Sequence, residues 1–221
     1  MITPQDARAT EDAALVGFFE SVHRRPGGTG AILNVIRAAK VRAAADATLL
    51  SDLVDGTQVR IELSAYALDE GQHAYRLLLR MHEIGFVASR IPIALDPIDG
   101  LLARSRAREV GRAYADRVAV YEADLLELVV AASIAKKDSR RKIRANCAAL
   151  PYDDPTASLL RSMLQDEVRH AEWFDRWLES FERRFSRRAV QRATERLTAV
   201  FEDLNTLYYD ALGSYLKRPA A

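Results

Sequence analysis

The chain has 221 residues, 49% of them hydrophobic, enough to bury one substantial core, and no shift in composition divides it in two. Its 32 Lys and Arg almost cancel 31 Asp and Glu, leaving a formal charge of +1, so the overall charge gives no bias toward nucleic acid or an acidic membrane surface. The one cysteine, Cys147, has no internal partner for a disulfide, the N-terminus lacks the basic and apolar regions of a leader, and the longest apolar run, Leu125 to Ala135, is short and carries Glu127. A cytoplasmic protein of one domain, residues 1–221, without a spanning helix, is expected.

Alanine, leucine and arginine dominate and alternating β-branched runs are absent, so the expected fold class is all-α. A short helix is predicted from about Pro4 to Val22, ended by Arg25-Pro26-Gly27-Gly28. A first long helix follows from about Ala31 to Leu53. Asp55-Gly56-Thr57 reads as a turn and N-cap before a second helix, Gln58 to about Ile84, stopped by Gly85. Pro92, Pro97 and Gly100 mark a long crossover that lets the next helix return in a new direction. A third helical region runs from near Leu101 toward Ala149, with a break expected near Gly111, and Pro151 ends it. Asp154 and Pro155 are start signals for a fourth helix reaching about Phe185, and a last helix spans about Arg187 to Leu216.

Asp69-Glu70-Gly71-Gln72-His73-Ala74 in the second long helix returns about 97 residues later as Asp166-Glu167-Val168-Arg169-His170-Ala171 in the fourth. On a helix, positions i and i+3 project from nearly one face, so a carboxylate and an imidazole can converge on one point. Each Glu-x-x-His unit is half of a metal site. Glu70, His73, Glu167 and His170 are therefore the candidate ligands.

These paired motifs resemble the ferritin-like superfamily of di-iron carboxylate proteins, over roughly Ala31 to Phe185; the Leu160-Arg161-Ser162-Met163-Leu164 run looks most like the tRNA-hydroxylase and small oxygenase branches. The resemblance implies an antiparallel four-helix bundle with a long crossover and additional N- and C-terminal helices. It implies a metal-dependent oxidase or oxygenase that activates O2 at one or two iron or manganese ions and acts on a small organic substrate. It also implies that Asp69 and Asp166 accept the ring N–H of the other half's histidine, fixing its orientation.

The family pattern asks for one more carboxylate from each partner helix, and here the sequence departs from it. Level with Glu70 across the turn near Asp55 stands Lys40, with Asp46 about 9 Å too far along the helix. In the second half the answer depends on where the third helix stops. An end near Asp138 brings Glu127 level with Glu167, with Glu122 as a substitute; an end near Ala149 brings Lys136 or Lys137 there. Helix propensity across Arg140 to Leu150 and the lack of a breaker before Pro151 favour the longer helix. Lysine ammonium groups would then stand where metal-ligating glutamates are missing, an arrangement similar to that of some ribonucleotide reductase small subunits that work without metal. The alternative function is thus a metal-free protein using lysine or radical chemistry, or serving as a binding scaffold. Against this, Lys136-Lys137-Asp138-Ser139-Arg140-Arg141-Lys142 also reads as a solvated face, and Lys40 can equally turn outward.

Tyr66 lies one turn before Glu70 and Glu62 one turn earlier. Tyr66 is a candidate catalytic residue beside Lys40, although core packing is its simplest role. Trp173, Trp177 and Phe181 form a stripe expected to meet the last helix. The arginines between Arg183 and Arg192 lack interleaved aromatics, so a nucleic-acid partner is not expected. A homodimer is compatible with the sequence, and His23 and His82 are read as surface or interface residues.

Overall fold

The computed structural model describes residues 4–116 and 122–216. Among them are eight α-helices, a single 3-10 turn and no strand. The helices are α1 (Pro4–His23), α2 (Gly28–Leu53), α3 (Thr57–Glu83), α4 (Pro97–Ala103), α5 (Arg108–Asp116), α6 (Glu122–Ala148), α7 (Pro155–Arg184) and α8 (Arg187–Tyr215), with the 3-10 turn at Ile93–Leu95. No helix of the described residues is long and apolar enough to cross a membrane.

Two long hairpins make the frame: α2 packs on α3 and α6 on α7. The first closes through Gly56, and α3 stops at Gly85, whose φ of 70° continues no helix. The second closes after Pro151. There the Asp154 side chain accepts hydrogen bonds from the backbone N–H groups of Thr156 (2.6 Å) and Ala157 (3.3 Å), and Pro155 supplies the first helical residue. Helix α8 lies against α4, α6 and α7, and α1 covers α6 and α2.

The crossover differs from the expectation of an open loop followed by one long helix broken at Gly111. It holds the 3-10 turn and α4, started by Asp96 and Pro97, while Gly111 lies inside α5 and the chain turns before it, at Arg104 to Ala107. The Asp96 carboxylate accepts the Asp99 N–H and so sets α4 in place. Whether α5 and α6 join is a matter of residues 117–121, which lie outside the described residues.

The buried positions explain how the hairpins meet. On α3 the inward stripe reads Leu63, Tyr66, Glu70, His73, Leu77, Met81, and on α7 it reads Leu160, Met163, Glu167, His170, Phe174, Phe181. Each is apolar at both ends and ionisable in the middle. Leu33, Leu77, Met81, Ile143, Leu160 and Met163 form one apolar cluster beyond the charged level; Leu63, Tyr66, Val129, Phe174 and Phe181 belong to another below it. Each fully buried Leu, Phe or Met contributes about 1.5–3 kcal/mol, and this apolar packing at both ends holds the polar middle shut.

Candidate buried charge centre

Lys40 of α2, Glu70 of α3, Lys136 of α6 and Glu167 of α7 meet at the centre of the frame, one charged side chain from each helix, and all are at most 5% exposed. Helix α6 runs unbroken to Ala148, so the level of Glu167 falls on Lys136. The ammonium of Lys136 donates to Glu70 Oε1 at 2.8 Å and to Glu167 Oε2 at 3.3 Å. Lys40 donates to Glu70 Oε1 at 3.4 Å and to Glu167 Oε1. Two cations and two anions therefore alternate, each ammonium contacting both carboxylates.

Glu127 is not at this centre. It accepts the Arg106 N–H at 2.7 Å and pairs with Arg196 at 2.6 Å, more than two helical turns from Lys136 along α6. Glu122 pairs with Arg184. Lys137, one residue round the helix from Lys136, points outward to Asp175, so the solvated-face reading holds for Lys137 and fails for Lys136.

The histidines complete the site across the two halves. His73 Nε2 lies 2.9 Å from Asp166 Oδ2, and His170 Nε2 lies 3.0 Å from Asp69 Oδ2. An ionised carboxylate only accepts, so in both pairs Nε2 carries the hydrogen, and Nδ1 of each ring faces the centre, 3.6 Å (His73) and 3.3 Å (His170) from Glu70 Oε1. The role implied for Asp69 and Asp166 is the geometry found. Arg169, which no sequence argument singled out, donates to Asp69 at 2.7 Å and pairs with Asp166 at 2.8 Å, tying the two carboxylates together from the solvent side. Its signal was available: Arg169 stands where the first repeat has the neutral Gln72.

Burial pushes the carboxyl of Glu70 up, but Lys136, Lys40 and the two histidines more than offset it and hold it well below the usual range. Glu167 is likewise lowered, burial again being outweighed by Lys136 and Lys40. Burial works against the charge of Lys136, and Glu167 and Glu70 overcome it, raising its pKa. The centre is thus an ionised quartet with no net charge.

Tyr66 forms one wall. Its ring stands edge-on to His170 with centroids 4.5 Å apart, and the Lys136 ammonium lies 4.8 Å from its centroid. Burial, then Glu70 and Glu167, keep its phenol protonated far above the ordinary tyrosine range. Glu62 accepts the indole N–H of Trp173, and Trp173, Trp177 and Phe181 continue the aromatic row along α7.

An apolar cavity of about 160 Å³ opens off this centre between α2 and α6. Ala39, Ala43 and Ala47 of α2 face Ala132 and Ala135 of α6, and these small side chains leave the space, with Lys40, Lys136, Glu70 and Tyr66 at its polar wall.

The donor set decides what cation fits. Ligand atoms of Glu70, His73 and Glu167 lie within 4.8 Å of one another, a group that could hold one metal ion. Glu70 Oε2, His73 Nδ1 and His170 Nδ1 are buried without a hydrogen bond. A dinuclear centre does not fit: two further carboxylates would be needed, and lysines stand in their places. No family model matches this chain, and no curated protein or solved structure does either.

Proposed function

We propose that the chain is a ferritin-like bundle in which Lys40 and Lys136 replace the metal cations of a carboxylate–histidine centre, and that this centre acts on a small, largely apolar molecule held in the α2–α6 cavity. One observation carries the reading: each buried ammonium contacts both Glu70 and Glu167, so the charge of the carboxylates is already met. The raised pKa of Lys136 makes it a standing cation and not a nucleophilic amine. Its chemistry is therefore electrostatic, stabilising negative charge that develops on a ligand, with the Tyr66 phenol, held protonated, as a hydrogen-bond donor at the same wall.

The buried group of Glu70, His73 and Glu167, whose ligand atoms lie within 4.8 Å of one another, favours a second reading, a mononuclear site that takes iron or manganese when one ammonium loses its proton or withdraws. Glu70, His73, Glu167 and His170 would hold that ion, and it would supply O2 activation for an oxidase or oxygenase. Metal content separates the two. Protein purified from iron- and manganese-supplemented cultures is expected to retain no stoichiometric metal through gel filtration, whereas the Lys40→Glu, Lys136→Glu double variant is expected to retain iron or manganese. Stoichiometric metal in the native chain overturns the first reading and supports the second.

A further inference from the structure

Two polar groups in the wall of the α2–α6 cavity have nothing to bond to. Asp46 lines the cavity between Ala43 and Ala47, six residues and so about 9 Å along α2 from Lys40. No described residue hydrogen-bonds its carboxylate, and Arg42, the cation that acts on it, is engaged elsewhere: it donates to Asp96 at 2.6 Å and pairs with Asp99 at 3.0 Å. Burial, reinforced by Asp96 and Asp99 and opposed by Arg42, pushes this carboxyl up to about 6.

Tyr66 is the second such group. It is 8% exposed and lines the same cavity from α3. It stands four residues before Glu70 as Asp46 stands six after Lys40, and the two helices run in opposite directions, so both lie on the same side of the charged quartet. The Asp46 charge acts on its phenol. No described residue hydrogen-bonds the Tyr66 hydroxyl, which can both donate and accept.

The cavity sets the size of what these groups meet, and their charge sets its kind. A space of about 150 Å³ walled by Leu, Ile and Phe takes up benzene. At 160 Å³ this cavity therefore has room for an apolar body of about six carbons. A carboxylate flanked by two more aspartates, against one arginine, repels an anionic head and gains more from a charged donor than from a neutral one. Resting on the reading of this cavity as a ligand site, we propose that it takes a small primary amine whose ammonium donates to Asp46 and to the Tyr66 oxygen and whose apolar body lies along the alanines toward the quartet.

Isothermal titration calorimetry of the full chain at about pH 8, where both Asp46 and an alkylamine are ionised, compares hexylamine, hexanol, hexanoate and ethylamine. Hexylamine is expected to bind one to one and on the order of 10-fold more tightly than hexanol, with hexanoate and ethylamine weaker still. Asp46→Asn should weaken hexylamine by on the order of 10- to 100-fold and leave hexanol within about twofold, a selectivity that general damage to the fold would not produce. Hexylamine that binds no more tightly than hexanol, or equally well to Asp46→Asn, overturns the proposal and leaves the cavity standing as a ligand site. Binding of neither compound overturns the cavity reading and the proposal together.

Discussion

Lys136 brings a positive charge to a place from which water is excluded, and it remains there only because two carboxylates face it. Removing one member of such a set leaves a buried charge uncompensated, which costs about 3–5 kcal/mol. Lys136→Met is therefore expected to lower unfolding stability in urea by that amount, and the further change Glu167→Gln should recover part of it. Lys137→Met, at an exposed pair with Asp175, should change stability by less than about 1 kcal/mol in the same assay. The level of Lys40 opposite Glu70 was legible because it follows from one short turn; its inward direction was not, since a lysine stem can equally carry its ammonium out to water. Lys136 and Lys137 were not separable, since adjacent residues differ by about 100° around a helix and only the packed neighbours decide which faces inward. Glu127 was an open choice because its level depends on the end of α6, and a carboxylate suited to a metal serves equally well as the partner of Arg196 and the Arg106 N–H.

The long helices were readable for a physical reason: their ends are written in residues that act locally. Pro155 after Asp154, Gly85, and the Pro26-Gly27 pair all change backbone geometry or capping without help from distant contacts. Asp154 gives a direct check. Asp154→Ala removes the acceptor for two N–H groups at the start of the helix that carries Glu167 and His170, and should cost about 1 kcal/mol in thermal or urea unfolding; Asp154→Asn should restore most of it. The crossover was less legible. Its proline and glycine residues signal interruption, but α4 exists because Asp96 caps it and its buried Leu101 packs into the core, and that contact lies far away in sequence.

At the scale of the molecule, the charged quartet links both hairpins, so its protonation is coupled to folding. Glu70 and Glu167 have folded values below the ordinary 4.5, so their contribution is present above pH 4.5 and is lost as pH falls through the lowered values. Lys136 is raised above 10.5, so its contribution is full below pH 10.5 and is lost as pH rises through the raised value. The stability difference between the native chain and one with Lys40→Met, Lys136→Met, Glu70→Gln and Glu167→Gln should be flat between these limits. It should turn against the native chain outside them, as read from urea unfolding across pH. A difference that keeps changing between pH 6 and 9 would contradict the ionised quartet. The cavity was beyond sequence reading because it depends on how far α2 stands from α6.

The crossed histidine–aspartate pairs make the centre a joint product of both halves. A nascent polypeptide that has emerged only through α3 owns Glu70 and His73 but neither Asp166 to aim the ring nor Lys136 to balance the acid. Assembly of the buried centre is thereby deferred until the second hairpin seats, and any lesion that keeps the hairpins apart leaves both imidazoles without their aspartates.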